Sequence, residues 1–95
     1  MSSADAHLSD STLVARVYLD GDLEAFETLV ERYRPRVFNY LYRLVQDFER
    51  SRDLTQEVFI EIAAGIPRLT SFENISGWIY RLARGVVGLD ARRRR

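Results

Sequence analysis

Ninety-five residues, 46% of them hydrophobic, are enough for one compact domain and too few for two. The absence of cysteine excludes disulfides, thiolate metal sites and a cysteine nucleophile, and the single histidine, His7, assembles neither a metal set nor an imidazole base. The net charge of zero conceals a division: residues 1–31 hold seven acids and one arginine, whereas residues 32–95 hold seven acids and thirteen arginines.

All fourteen basic residues are arginine, a choice that suits bidentate phosphate contact and follows equally from a GC-rich genome. The first ten residues carry neither a basic start nor an apolar run, and nowhere do about 18 apolar residues follow one another. Neither export nor a membrane span is expected, and a reducing cytoplasm is the expected location.

After a flexible lead-in over residues 1–9, Asp10 or Ser11 is placed to cap a first helix over 11–19, which carries Leu13, Val14 and Val17 and stops at Gly21. A second helix over 22–46 follows, with Phe26, Leu29, Val30, Tyr33, Val37, Tyr40, Leu41 and Leu44 in steps of three and four. Pro35 interrupts its hydrogen bonding but not the phase of its stripe, so one helix bent near Glu31 to Arg34 is predicted. The third helix, over 49–65, turns Leu54, Val58, Ile62 and Ile66 to one side, and Gly65 and Pro67 are expected to end it. The fourth, over 76–92, carries Ile79, Leu82, Ala83 and Val86; Gly85 and Gly88 together cost it about 2 kcal/mol relative to alanine, so its end is expected to fray unless a partner holds it. The fold class is therefore all-α, a bundle of four helices without strands. Its predicted core is Phe26, Leu29, Val30, Tyr33, Val37, Leu41, Val58, Ile62, Ile79, Leu82 and Val86.

Three constellations stand outside that core. Asp53, Gln56 and Glu57, spaced i, i+3, i+4, share one helix face away from Leu54 and Val58, which is either a solvated surface or a docking face. The connection over 67–75 mixes turn formers with Phe72, Glu73 and Asn74; Phe72 either meets a ligand or folds inward onto Trp78, and Trp78 itself is expected to pack. Tyr80, Arg81, Arg84 and the closing run from Arg92, with Arg93, form a basic face suited to phosphate or a solvated linker.

Asp53-Leu54-Thr55-Gln56-Glu57-Val58-Phe59 resembles a segment of the extracytoplasmic-function (ECF) sigma factors of bacterial RNA polymerase. Gly21-Asp22, Ala25-Phe26-Glu27, Arg32-Tyr33-Arg34-Pro35-Arg36-Val37 and Trp78-Ile79-Tyr80-Arg81-Leu82-Ala83-Arg84 occur in the family's order and spacing, so the resemblance covers Asp10 to Arg95. It implies sigma region 2 over residues 10–91, with 92–95 beginning a basic linker to a helix-turn-helix domain that this sequence does not contain. It also implies a binding protein without cofactor or enzymatic activity. Asp53, Gln56 and Glu57 then correspond to residues that dock on the clamp helices of the polymerase largest subunit. Phe72, Glu73 and Asn74 correspond to the loop that captures an unstacked base of the non-template strand at the promoter minus-ten element, with Arg81, Arg84, Arg92 and Arg93 on phosphate. An anti-sigma factor covering these surfaces is a further expected partner. The pattern departs from the family at Gly85, where asparagine is frequent, and at Leu89, where the family's aspartate falls one place later as Asp90. Two other readings fit the residues alone: a different helical DNA-binding regulator, and a helical module that binds only protein, such as a sigma-like decoy.

Overall fold

The computed structural model describes residues 5–94, so the first four residues of the lead-in and Arg95 lie outside the described residues. Four helices follow one another: α1 Asp10–Asp20, α2 Leu23–Val45, α3 Phe48–Gly65 and α4 Ile75–Arg93. A 3-10 turn at Ile66–Arg68 follows α3, and no strand occurs among the described residues. Each helix lies within one residue of its predicted span at either end.

Local chemistry accounts for the boundaries. Ser9, rather than Asp10 or Ser11, caps α1, its hydroxyl accepting from the Thr12 N–H at 3.1 Å. Asp10 is turned instead toward α2, where its carboxylate accepts from the Arg32 guanidinium at 2.7 Å and from the Tyr33 hydroxyl. Asp22 and Asp47 cap α2 and α3, accepting from the backbone of Ala25 and Arg50 at 3.1 Å each. Gly21 closes α1 in the left-handed conformation, φ 61, which costs a residue without Cβ nothing. Pro35 lies on the exposed side of α2, and the helix is unbroken through it.

Leu29, Tyr33, Val37 and Leu41 of α2 pack with Leu54, Val58 and Ile62 of α3 and with Ile79, Ala83 and Val86 of α4, while Leu13 and Val14 close the core from α1. Phe26, Val30 and Leu82, predicted inside, are only half-buried, and Leu44 on the same stripe as Phe26 is 52% exposed. A stripe sustained for five turns wraps farther round α2 than its neighbours cover, and Phe26 and Val30 line a groove toward α3 instead. Gly65 ends α3 without leaving right-handed conformation; its role is spatial, since a methyl group there would stand 2.8 Å from Cζ2 of Trp78. Trp78 is accordingly packed against the core, as its position in the first turn of α4 predicts.

Helix α4 continues past both glycines to Arg93. The Arg50 Nε–H donates to Asp90 at 2.7 Å, tying the last turns of α4 to the start of α3 and offsetting the glycine cost.

Two outcomes test this packing. Ile62, fully buried, leaves a cavity on truncation, so Ile62→Ala is expected to lower the unfolding free energy by about 2 to 5 kcal/mol in urea titrations. Burial, reinforced by the Asp10 carboxylate at its hydroxyl, pushes the Tyr33 phenol above its ordinary value of 10.0. The folded state thus favours the neutral phenol, a contribution complete below pH of about 10 and lost as pH rises further. A series of unfolding curves at increasing alkaline pH should show Tyr33→Phe losing stability less steeply than the parent.

Candidate functional site

Because α3 turns Leu54, Val58 and Ile62 inward, Asp53, Gln56 and Glu57 emerge on its other side. Asp53 and Gln56 are exposed, and Glu57 is half-buried. The three do not look the same way. Gln56 lines a groove of about 580 Å³ shared by Arg34, Pro35 and Phe38 of α2 with Phe48 and Arg52 of α3. Glu57 lines a smaller cleft toward α4, where Arg93 stands 3.6 Å from its carboxylate. Asp53, one turn before them, lies between these directions.

Phe48 is the residue of this surface that sequence reasoning missed. It is 59% exposed and meets Phe38 edge-on with ring centroids 5.3 Å apart. The signal was available: Phe48 follows the Asp47 cap and stands off the Leu54, Val58, Ile62 stripe, so it has no place in the core of its own helix.

The connection between the 3-10 turn and α4 is held by four contacts. Phe72 is partly buried; where the sequence offers Trp78 as its inward neighbour, the ring pair that forms is with Tyr18 of α1, edge-on at 5.3 Å. The Phe72 carbonyl accepts from the Ser11 hydroxyl at 2.7 Å, and the Glu73 N–H donates to the Ser71 hydroxyl at 3.1 Å, leaving the Glu73 side chain exposed. Asn74 is exposed in a left-handed conformation, φ 54, and its side-chain oxygen accepts from the Gly77 N–H at 3.1 Å, capping α4. Gly77 gives the cap room: a Cβ there would fall 2.5 Å from the Asn74 amide nitrogen and would oblige that side chain to shift.

Along α4, Arg81 and Arg84 are exposed and border a cleft of about 150 Å³ with Gly77, Tyr80 and Tyr40, the two tyrosine rings meeting edge-on at 5.2 Å. Arg92 is exposed, whereas Arg93, assigned to phosphate on sequence grounds, shares its charge with Glu57. Both partners of that pair are substantially solvated, so it contributes less than about 1 kcal/mol and either group is readily drawn to another partner. Among the described residues, no cluster of His, Asp or Glu is arranged to hold a metal ion, and no helix is long and apolar enough to cross a membrane.

Four packed helices, an acidic and amide surface on one and an arginine and tyrosine surface on another, define an all-α binding domain. The chain belongs to the sigma-70 region 2 family, whose model matches residues 29–95. It is 30% identical over 63 residues to the ECF RNA polymerase sigma factor SigW of Bacillus subtilis, covering 66% of this chain and 34% of that protein. It is 32% identical over 74 residues to the RNA polymerase sigma-H factor of Pseudomonas aeruginosa, covering 78% of this chain and 38% of that one. To the ECF RNA polymerase sigma-E factor of Haemophilus influenzae it is 37% identical over 76 residues, covering 80% and 39%. The chain thus spans 34% to 39% of the length of these curated relatives. No solved structure matches it significantly.

The cap at the head of α4 yields a direct test. Asn74→Ala removes the acceptor for the Gly77 N–H and is expected to cost at least about 1 kcal/mol in thermal or chemical unfolding, while Asn74→Asp, which keeps an acceptor, should cost much less.

Proposed function

We propose that this domain binds core RNA polymerase through α3 and takes up the non-template strand of the promoter minus-ten element at the 69–74 loop and along α4, acting in transcription initiation. The observation that carries the reading is the extent of the family match. From Leu29 onward it includes most of α2 and all of α3 and α4, the elements on which every assigned contact residue lies or to which it is joined. The relatives are RNA polymerase sigma factors by name. Sigma factors act by binding rather than by catalysis, and a polymerase partner makes the cytoplasm the place of action.

In this reading Asp53, Gln56 and Glu57 dock on the clamp helices of the largest polymerase subunit. Arg81, Arg84, Arg92 and Arg93 meet phosphate and set position, whereas Phe72, Glu73 and Asn74 meet a base that has left the stack and set sequence. Flipping a base costs a few kcal/mol, and an aromatic platform returns about 1 to 3 kcal/mol of it. The Asn74 oxygen is committed to the helix cap, so its amide N–H groups are the ones offered to a base edge. An anti-sigma factor would act by covering the α3 surface or the groove beside Gln56, and residues 92–95 would lead toward a helix-turn-helix domain.

The polymerase interface is tested at Asp53, which is exposed and forms no tie to the core. Asp53→Arg is expected to weaken binding to core polymerase roughly tenfold at an unchanged melting temperature. Equal affinity of this variant and the parent for the clamp helices would remove α3 from the interface.

A further inference from the structure

The family match begins at Leu29 and leaves α1 without a role, yet α1 is the wall against which the 69–74 loop is built. Ser11 and Tyr18 stand seven residues apart, about two turns, and therefore share one face of α1. Ser11 holds the loop by its backbone, donating to the Phe72 carbonyl at 2.7 Å. Tyr18 meets the Phe72 side chain with ring planes at 65°, so the two rings form a corner rather than a sealed stack. Core packing does not explain the tyrosine: Leu13 and Val14 of the same helix are fully buried, whereas Tyr18 remains 45% exposed. Ser71 and Glu73, which flank Phe72 in the sequence, are both exposed and carry a hydroxyl and a carboxylate. A flat, apolar-faced ligand with a hydrogen-bonding edge, which describes a nucleobase out of its stack, matches that combination.

We propose that Tyr18 is a base-stacking residue, and that the unstacked non-template base enters the corner between Tyr18 and Phe72, with α1 forming one wall and the loop the other. Ser11 is a positioning residue that keeps the loop wall in place. The inference rests on the loop's proposed part in reading the minus-ten element, and adds to it a helix that lies outside the family match.

The test is equilibrium binding of fluorescent single-stranded minus-ten oligonucleotides to core polymerase loaded with the protein, each strand carrying an abasic site at one position in turn. One position should prove costly to the parent when abasic. Tyr18→Ala and Tyr18→Leu, the second of which keeps an apolar neighbour for Phe72, should lose about tenfold in affinity for the intact strand and nothing further on the strand abasic at that position. Tyr18→Phe should bind as the parent does. Ser11→Ala should narrow the preference among the four bases there while the salt dependence stays unchanged. Full affinity of Tyr18→Ala, alongside a loss in Phe72→Ala, would overturn the part given to α1 and leave the loop's role standing. Unchanged binding in both variants would overturn the loop reading and this inference together. A Tyr18→Ala loss that persisted on the abasic strand would assign the effect to polymerase binding or folding and so overturn stacking.

Discussion

The carboxylate of Asp10 accepts from two neighbouring residues of α2, Arg32 and Tyr33, with the Asp10 and Arg32 side chains only 25% and 20% exposed. A great deal hangs on that tie. With 11 residues, α1 is shorter than the about 12 to 15 that an isolated helix needs to persist in water, so its place is set by tertiary contacts: Leu13 and Val14 in the core, and this polar clasp. Ser11, which anchors the loop backbone, is the very next residue. The loop's position thus traces back, through one peptide unit, to a hydrogen-bonded pair on the central helix. Partial shielding from water makes such a clasp stronger than an ordinary surface ion pair.

The other surfaces follow from how α3 is seated. With Leu54, Val58 and Ile62 committed inward, each turn of the helix offers polar groups alternately to the α2 side and to the α4 side. Gln56 belongs to the first and Glu57 to the second, where it meets Arg93. The surface proposed for polymerase and the surface proposed for DNA are therefore joined by an ion pair weak enough to exchange. Asp90, held by Arg50, keeps the end of α4 in register with α3 so that the two surfaces retain a fixed relation.

The helices were legible in the sequence because their causes are local. Apolar spacing of three and four, Asp22 as a cap and Gly21 as a stop depend on neighbours a few residues away, and all four spans emerge from them within a residue. The misreadings share an opposite cause. Ser9, Asp10 and Ser11 are all competent caps, and the choice falls to Ser9 because Asp10 finds Arg32, 22 residues on. Phe72 pairs with Tyr18 rather than with nearby Trp78, whose own partner is the bare surface of Gly65. The candidate site was legible as residue types on helix faces; which groups it brings together, Glu57 with Arg93 and Asn74 with its own helix, depends on contacts that no local pattern contains.

The contact between Asn74 and Gly77 has a consequence for how such domains diversify. A Cβ at position 77 would occupy the space of the Asn74 amide, and loss of the amide would leave the Gly77 N–H without its acceptor. A change at either position therefore bears on the other: a Cβ at 77 obliges the Asn74 side chain to shift, and a residue at 74 without an acceptor leaves the cap open. Exchanging residues 69–74 while leaving the first turn of α4 in place would separate Asn74 from the N–H it caps. An exchange cut after position 77 keeps the cap and the N–H it caps together.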